Sequence, residues 1–142
     1  MRKVLIHVAA VALFATVAGS AIGHGQGAAK TVNDGVYSAA QAERGAKLYG
    51  DLCSSCHGAE MKAGPGAPSL AGPDFQFSWD KKTVGELFDY VKTNMPPGGA
   101  TVKDTEYADI VADILKVNGY PAGAAELPAV KAELDPITIV SK

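Results

Sequence analysis

Two cysteines, three histidines and one tryptophan are all that this chain of 142 residues holds of those types. So few cysteines exclude a disulfide-dense scaffold and a structural metal site closed by four thiolates. A block of like charge is also missing: 13 Lys and Arg stand against 15 Asp and Glu. That balance excludes the basic footprint of a nucleic-acid binder, and no nucleic-acid partner is expected. Nor is there an internal repeat, or a pair of runs that reads as adjacent strands.

What is present begins with "MRKVLIHVAAVALFATVAGSAIG". Arg2 and Lys3 form a basic start, and Val4 to Val17 is apolar apart from His7 and Thr16. Ala18, Gly19, Ser20 and Ala21 follow. This order predicts a secretory signal peptide over residues 1–21, cut after Ala21. The alternative is a retained anchor, since Val4 to Ile22 just reaches the roughly 20 residues that span a bilayer. Only in that case is a membrane partner expected. Two of the 13 basic residues and none of the 15 acidic ones lie in the signal, so 11 basic and 15 acidic residues remain. Export implies the periplasm, an oxidising compartment. The remaining residues suit one domain.

Residues 22–37, "IGHGQGAAKTVNDGVY", predict a flexible leader. Ser38 is placed to cap a helix that runs to about Gly50, with Ala42, Gly45, Ala46, Tyr49 and Leu52 near one face. The stretch "HGAEMKAGPGAPSLAGPDF" reads as loop. Thr83-Val84-Gly85-Glu86 fits a capping box, opening a helix to Thr93 that Pro96 and Pro97 stop. A last helix from about Asp104 to Asn118 carries Tyr107, Ile110, Val111, Ile114 and Leu115 as one stripe. Gly119 and Pro121 end it. The tail, residues 121–142, is expected to pack on the domain or on a partner. These elements predict an all-α fold of three to five helices. Its long loops leave the core short of material unless a large apolar cofactor completes it.

The cysteines stand together in "LCSSCHGAE", as Cys53 and Cys56 with His57 next. A redox dithiol of this spacing belongs in a strand-helix context, and no strand precedes Cys53. Half of a zinc site would lack its other half. A plain disulfide leaves His57 and the long loops unexplained. Cys-x-x-Cys-His is the pattern of covalent haem attachment. One helical turn offers two thiols to the haem vinyl groups and an imidazole to the iron from the same face. A second axial ligand is required if the iron is to pass electrons rather than react. Met61, Met95, His24 and the lysines are the candidates. Met61 lies only four residues beyond His57. Met95, in "KTNMPPGG", closes a capped helix, and His/Met ligation is a known electron-transfer arrangement. Core packing is the alternative role for Met95.

From about Ser38 to Tyr120 the chain resembles the class I cytochromes c, which makes 38–120 the expected cytochrome c domain. The resemblance rests on the amino-terminal helix, Cys53-Ser54-Ser55-Cys56-His57, the capped middle helix, the Met95-Pro96 turn and the last helix. It implies one covalent haem c, bound through Cys53 and Cys56, with His57 and Met95 on the iron. Pro68-Ser69-Leu70 resembles the family's Pro-x-Leu. The likeness implies that the Pro68 carbonyl accepts the His57 Nδ1 hydrogen and that Leu70 packs on the porphyrin. Trp79 resembles a tryptophan near a haem propionate; ordinary core packing is its other reading. Gly45 and Tyr107 resemble the family's close crossing of first and last helices. The family's Ser-Asp-x-Glu is here Lys103-Asp104-Thr105-Glu106, so Asp104 is expected to cap one residue later.

The resemblance implies an electron carrier with no catalytic residues, taking one electron from a dehydrogenase and passing it to another cytochrome or a terminal oxidase. The tail resembles those of small cytochromes associated with quinoprotein dehydrogenases. A monomer is expected. Two alternatives stand: a haem c subunit anchored in or docked to a larger dehydrogenase or oxidase complex, and a haem peroxidase or gas sensor with an open distal site.

Overall fold

The computed structural model describes residues 29–99 and 102–142. In chain order these form β1 (Lys30–Thr31), α1 (Ala39–Leu52), α2 (Ser54–His57), α3 (Pro73–Trp79), α4 (Val84–Asn94), α5 (Asp104–Val117), α6 (Lys131–Leu134) and β2 (Ile137–Thr138). The fold is all-α apart from one pair of two-residue strands, as the sequence predicts, and among the described residues no helix is long and apolar enough to cross a membrane. Residues 1–28, with the expected signal peptide, His24 and the first seven residues of the leader, lie outside the described residues.

Local chemistry sets the helix starts. Ser38 Oγ accepts the Gln41 amide at 3.1 Å. Thr83 Oγ1 accepts the Glu86 amide at 3.0 Å, and Glu86 Oε2 accepts the Thr83 N–H at 2.7 Å, a complete capping box. At α5 only half of the box exists. Glu106 Oε2 accepts the Lys103 N–H at 2.7 Å, but an ammonium has no lone pair to accept in return. Lys103 is thus the residue before the helix and Asp104 its first member, where the sequence suggested that Asp104 would cap. Asp104 instead pairs with Lys92 at 2.8 Å.

α1 and α5 cross in backbone contact at Gly45. A Cβ there would run into the Asp109 carbonyl oxygen, and Asp113 Cβ would lie 3.1 Å away. The close crossing is there, but the nearest atoms belong to Asp109 and Asp113, where the family resemblance implied Tyr107. Beside the crossing, Arg44 donates two 2.9 Å hydrogen bonds to Asp109 and two more to Glu126 of the tail. The stripe Ile110, Val111, Ile114 and Leu115 is wholly buried.

Residues 30–37 are not a loose leader. Val32, Val36 and Tyr37 are buried, and the Tyr37 hydroxyl donates to the Tyr120 carbonyl at 2.6 Å. β1 pairs in parallel with β2, Lys30 opposite Ile137. Three apolar anchors are enough to fix a segment whose average composition is polar. A two-residue strand is too short for any alternation to mark it. The tail packs on the domain. The buried Gln41 side chain clasps the Leu127 backbone through both amide atoms, at 3.1 and 2.7 Å. Leu127, Leu134, Ile137 and Ile139 are buried.

Two outcomes follow from the crossing. Gly45→Ala is expected to destabilise the protein by about 3 kcal/mol, read as a lowered denaturant midpoint, because backbone on both sides leaves no room to relax. Asp113 is 5% exposed, and burial raises its carboxyl pKa while Lys116 pulls the other way. A raised folded pKa adds stability at pH values below the unfolded pKa, and that stability is lost as pH rises through the folded pKa. Asp113→Asn should therefore gain stability over the parent at pH 7, and the gain should vanish in acid denaturation series near pH 3.

Candidate functional site

The end of α1 runs directly into the turn that carries the thiols. Cys53 closes α1 through its amide to the Tyr49 carbonyl at 2.9 Å. The amides of Cys56 and His57 both donate to the Cys53 carbonyl, at 3.1 and 3.0 Å. One turn of helix thus presents Cys53, Cys56 and His57 together. The thiols are not joined to each other. Burial raises the pKa of the Cys53 thiol.

The loop after His57 folds back over this turn. A Cβ on Gly64 would run into the Cys56 carbonyl, so glycine alone permits the approach. The Tyr49 hydroxyl donates to the Gly58 carbonyl at 2.6 Å, and its pKa is pushed up to about 12, chiefly by burial. Further on, Asn118 at the end of α5 donates to the Leu70 carbonyl at 2.9 Å and accepts the Gly72 amide at 3.0 Å. Held at both ends, the loop sets the Pro68 carbonyl 2.8 Å from His57 Nδ1. A carbonyl only accepts, so Nδ1 carries the hydrogen and Nε2 keeps its lone pair for a ligand.

These groups open on a cavity of about 450 Å³. All seven residues singled out from the sequence line it: Cys53, Cys56, His57, Pro68, Leu70, Trp79 and Met95. α4 adds Leu87 and Val91, and α5 adds Ile110 and Ile114. Met95 stands at the end of α4, its amide donating to the Val91 carbonyl at 2.9 Å and its carbonyl accepting from the Tyr107 hydroxyl at 3.0 Å. Met61 is elsewhere. It is 2% exposed, packed in the core under the loop, and does not line the cavity. Among the lysines, Lys82 reaches the cavity rim, where its Nζ sits 4.9 Å from the Trp79 ring. Trp79 also meets Tyr90 edge-on, with ring centroids 5.6 Å apart.

The donor set fits a covalently held haem. Two unpaired thiols, a histidine with one free nitrogen and a thioether share one apolar cavity, whose volume lies in the range of about 300–1,000 Å³ usual for cofactor sites. Among the described residues no cluster of His, Cys, Asp or Glu offers another metal site. The model of the cbb3-type cytochrome c oxidase subunit III family matches residues 40–112, just over half of the chain. The chain belongs to this family of c-type cytochromes. Neither the curated proteins nor the solved structures returned a match. Membership of a cytochrome c family implies haem c and electron transfer rather than catalysis of a reaction.

Sequence reasoning missed α3, whose Phe75 and Trp79 form one wall of the cytochrome's cavity. The signal was there: Gly72-Pro73 puts a proline at the first helical position, where a missing amide hydrogen is harmless. Asn118 read only as a helix end, and its grip on the haem loop is a long-range contact without a local mark.

Without haem the apolar cavity of about 450 Å³ is left to water, and the helices and loops around it lose the contacts that the cofactor would supply. The chain expressed without haem attachment should accordingly lack cooperative thermal unfolding and lose near-ultraviolet dichroism.

Proposed function

We propose that this protein is a periplasmic one-electron carrier with a single haem c joined to Cys53 and Cys56, and with His57 Nε2 and Met95 Sδ as axial ligands. One observation carries the reading: His57, tied through Nδ1 to Pro68 at 2.8 Å, lines the same cavity as both thiols and Met95. When bound, the haem supplies the one-electron change between ferric and ferrous iron. The chain's own residues do the rest. Pro68 fixes the imidazole ring and makes Nε2 a better donor. The thioether of Met95 favours ferrous iron and raises the potential. Leu70, Leu87, Val91, Ile110 and Ile114 exclude water. With Met95 in place, small molecules are kept from the iron, which argues against a peroxidase or gas sensor.

The basic start and apolar run at residues 2–17 support export. A dehydrogenase as donor and a cytochrome or oxidase as acceptor suit a carrier of this kind. The matched family's description as an oxidase subunit favours a second reading, in which the chain docks in a larger oxidase complex. Co-purification from membrane and periplasmic fractions separates the two.

Haem should stay with the polypeptide in acid acetone; free extraction would refute the thioethers. Met95→Ala should keep the haem, lose the long-wavelength sulfur-to-iron band of the ferric protein and admit cyanide. Met95→His should lower the midpoint potential, while Met61→Ala should leave spectrum and potential as in the parent. A reversed pattern between the two alanine variants would move the ligand to Met61.

A further inference from the structure

The loop that carries Met95 is poorly provided with hydrogen-bond donors. Pro96 and Pro97 have no amide hydrogen. The Gly99 amide turns inward, to the Pro96 carbonyl at 3.0 Å. Met95 itself has left the helix, with φ −124° and ψ 139°, and only its amide still bonds to α4. Among the described residues 95–99, one hydrogen bond arrives from another element. It is the Tyr107 hydroxyl of α5, 3.0 Å from the Met95 carbonyl.

Tyr107 is 6% exposed and sits in the first turn of the helix that α1 grips. Its ring cannot follow a moving loop. The second tie at this corner, Lys92 to Asp104 at 2.8 Å, is of another kind, because its side chains are 42% and 50% exposed. An ion pair so open to water contributes little. We infer that Tyr107 is the positioning residue for Met95: its hydroxyl holds the Met95 carbonyl and so keeps the thioether at the iron. This rests on Met95 being the axial ligand.

The physical consequence is a population. A loop that swings away leaves the iron open, and an external ligand binds only that open fraction. Losing one hydrogen bond raises the open fraction about 2- to 10-fold. The apparent affinity of an external ligand rises by the same factor.

The test uses the ferric holoprotein and imidazole as probe. Tyr107→Phe keeps the ring and removes the hydroxyl. It should retain haem and the sulfur-to-iron band while binding imidazole about 2- to 10-fold more tightly than the parent. Lys92→Ala should bind imidazole as the parent does. A residue that merely supported the fold would lower the denaturant midpoint without shifting imidazole affinity. Equal affinity in parent and Tyr107→Phe therefore overturns the inference while Met95 ligation stands. If the parent lacks the sulfur-to-iron band and binds imidazole as tightly as Met95→Ala does, the ligand reading itself has failed, and the inference with it. Tyr107→Leu, also without a hydroxyl, gives the same comparison should the phenylalanine variant lose its haem.

Discussion

Backbone contact between α1 and α5 at Gly45 is the constraint on which the site depends. α1 ends in the turn that presents Cys53, Cys56 and His57. α5 meets that turn's surroundings at three points. Its first turn holds Met95 through Tyr107, its middle supplies Ile110 and Ile114 to the cavity wall, and its end holds the loop at Leu70 and Gly72 through Asn118. Any shift of α5 along α1 would move the distal and proximal sides together. A crossing without side chains between the helices has little freedom to shift, because backbone atoms do not repack as rotamers do. Arg44 adds direction, since its planar guanidinium reaches Asp109 and Glu126 at once.

The two sides of the cavity are built differently. On the His57 side, several hydrogen bonds converge on a short loop: Tyr49 to Gly58, Ser69 to Met61, Asn118 to Leu70, and His57 to Pro68. On the Met95 side, a helix end and two prolines limit the chain by covalent geometry, and a single hydroxyl reaches in from outside. The first side is rigid through contacts, the second through a scarcity of conformations. This division would suit the proposed ligation, in which the imidazole of His57 keeps one orientation and the thioether of Met95 is the weaker ligand.

Much of this was legible in the sequence because the informative features are local. Cys53, Cys56 and His57 lie within one turn. The box at Thr83 and Glu86 marks α4, and the stripe from Tyr107 to Leu115 marks α5. What could not be read depends on distance along the chain. Residues 30–37 look like a leader by composition, yet Lys30 pairs with Ile137 and Tyr37 bonds to Tyr120 and Gly123, all far along the chain. Gly45 was legible as a close approach but not its neighbour, since the contact is with the backbone carbonyl of Asp109, two residues beyond Tyr107, and a backbone atom leaves no mark in the sequence. The half-box at Lys103 shows that a glutamate reaching back can begin a helix without a hydroxyl in front.

The parallel pairing of β1 with β2 has a consequence for the order of events in the life of the chain. Synthesis proceeds from the amino terminus, so Lys30 and Thr31 exist long before Ile137 and Thr138, their partners. The tail that clasps Gln41 and Arg44 is likewise made last. Until then the early segment has nothing to close on. The turn with Cys53 and Cys56 thus emerges from the ribosome well ahead of the residues that complete the domain around it. Residues 123–139, which meet Lys30, Tyr37, Gln41 and Arg44, thus close over a part of the chain that has had time to form its own helix.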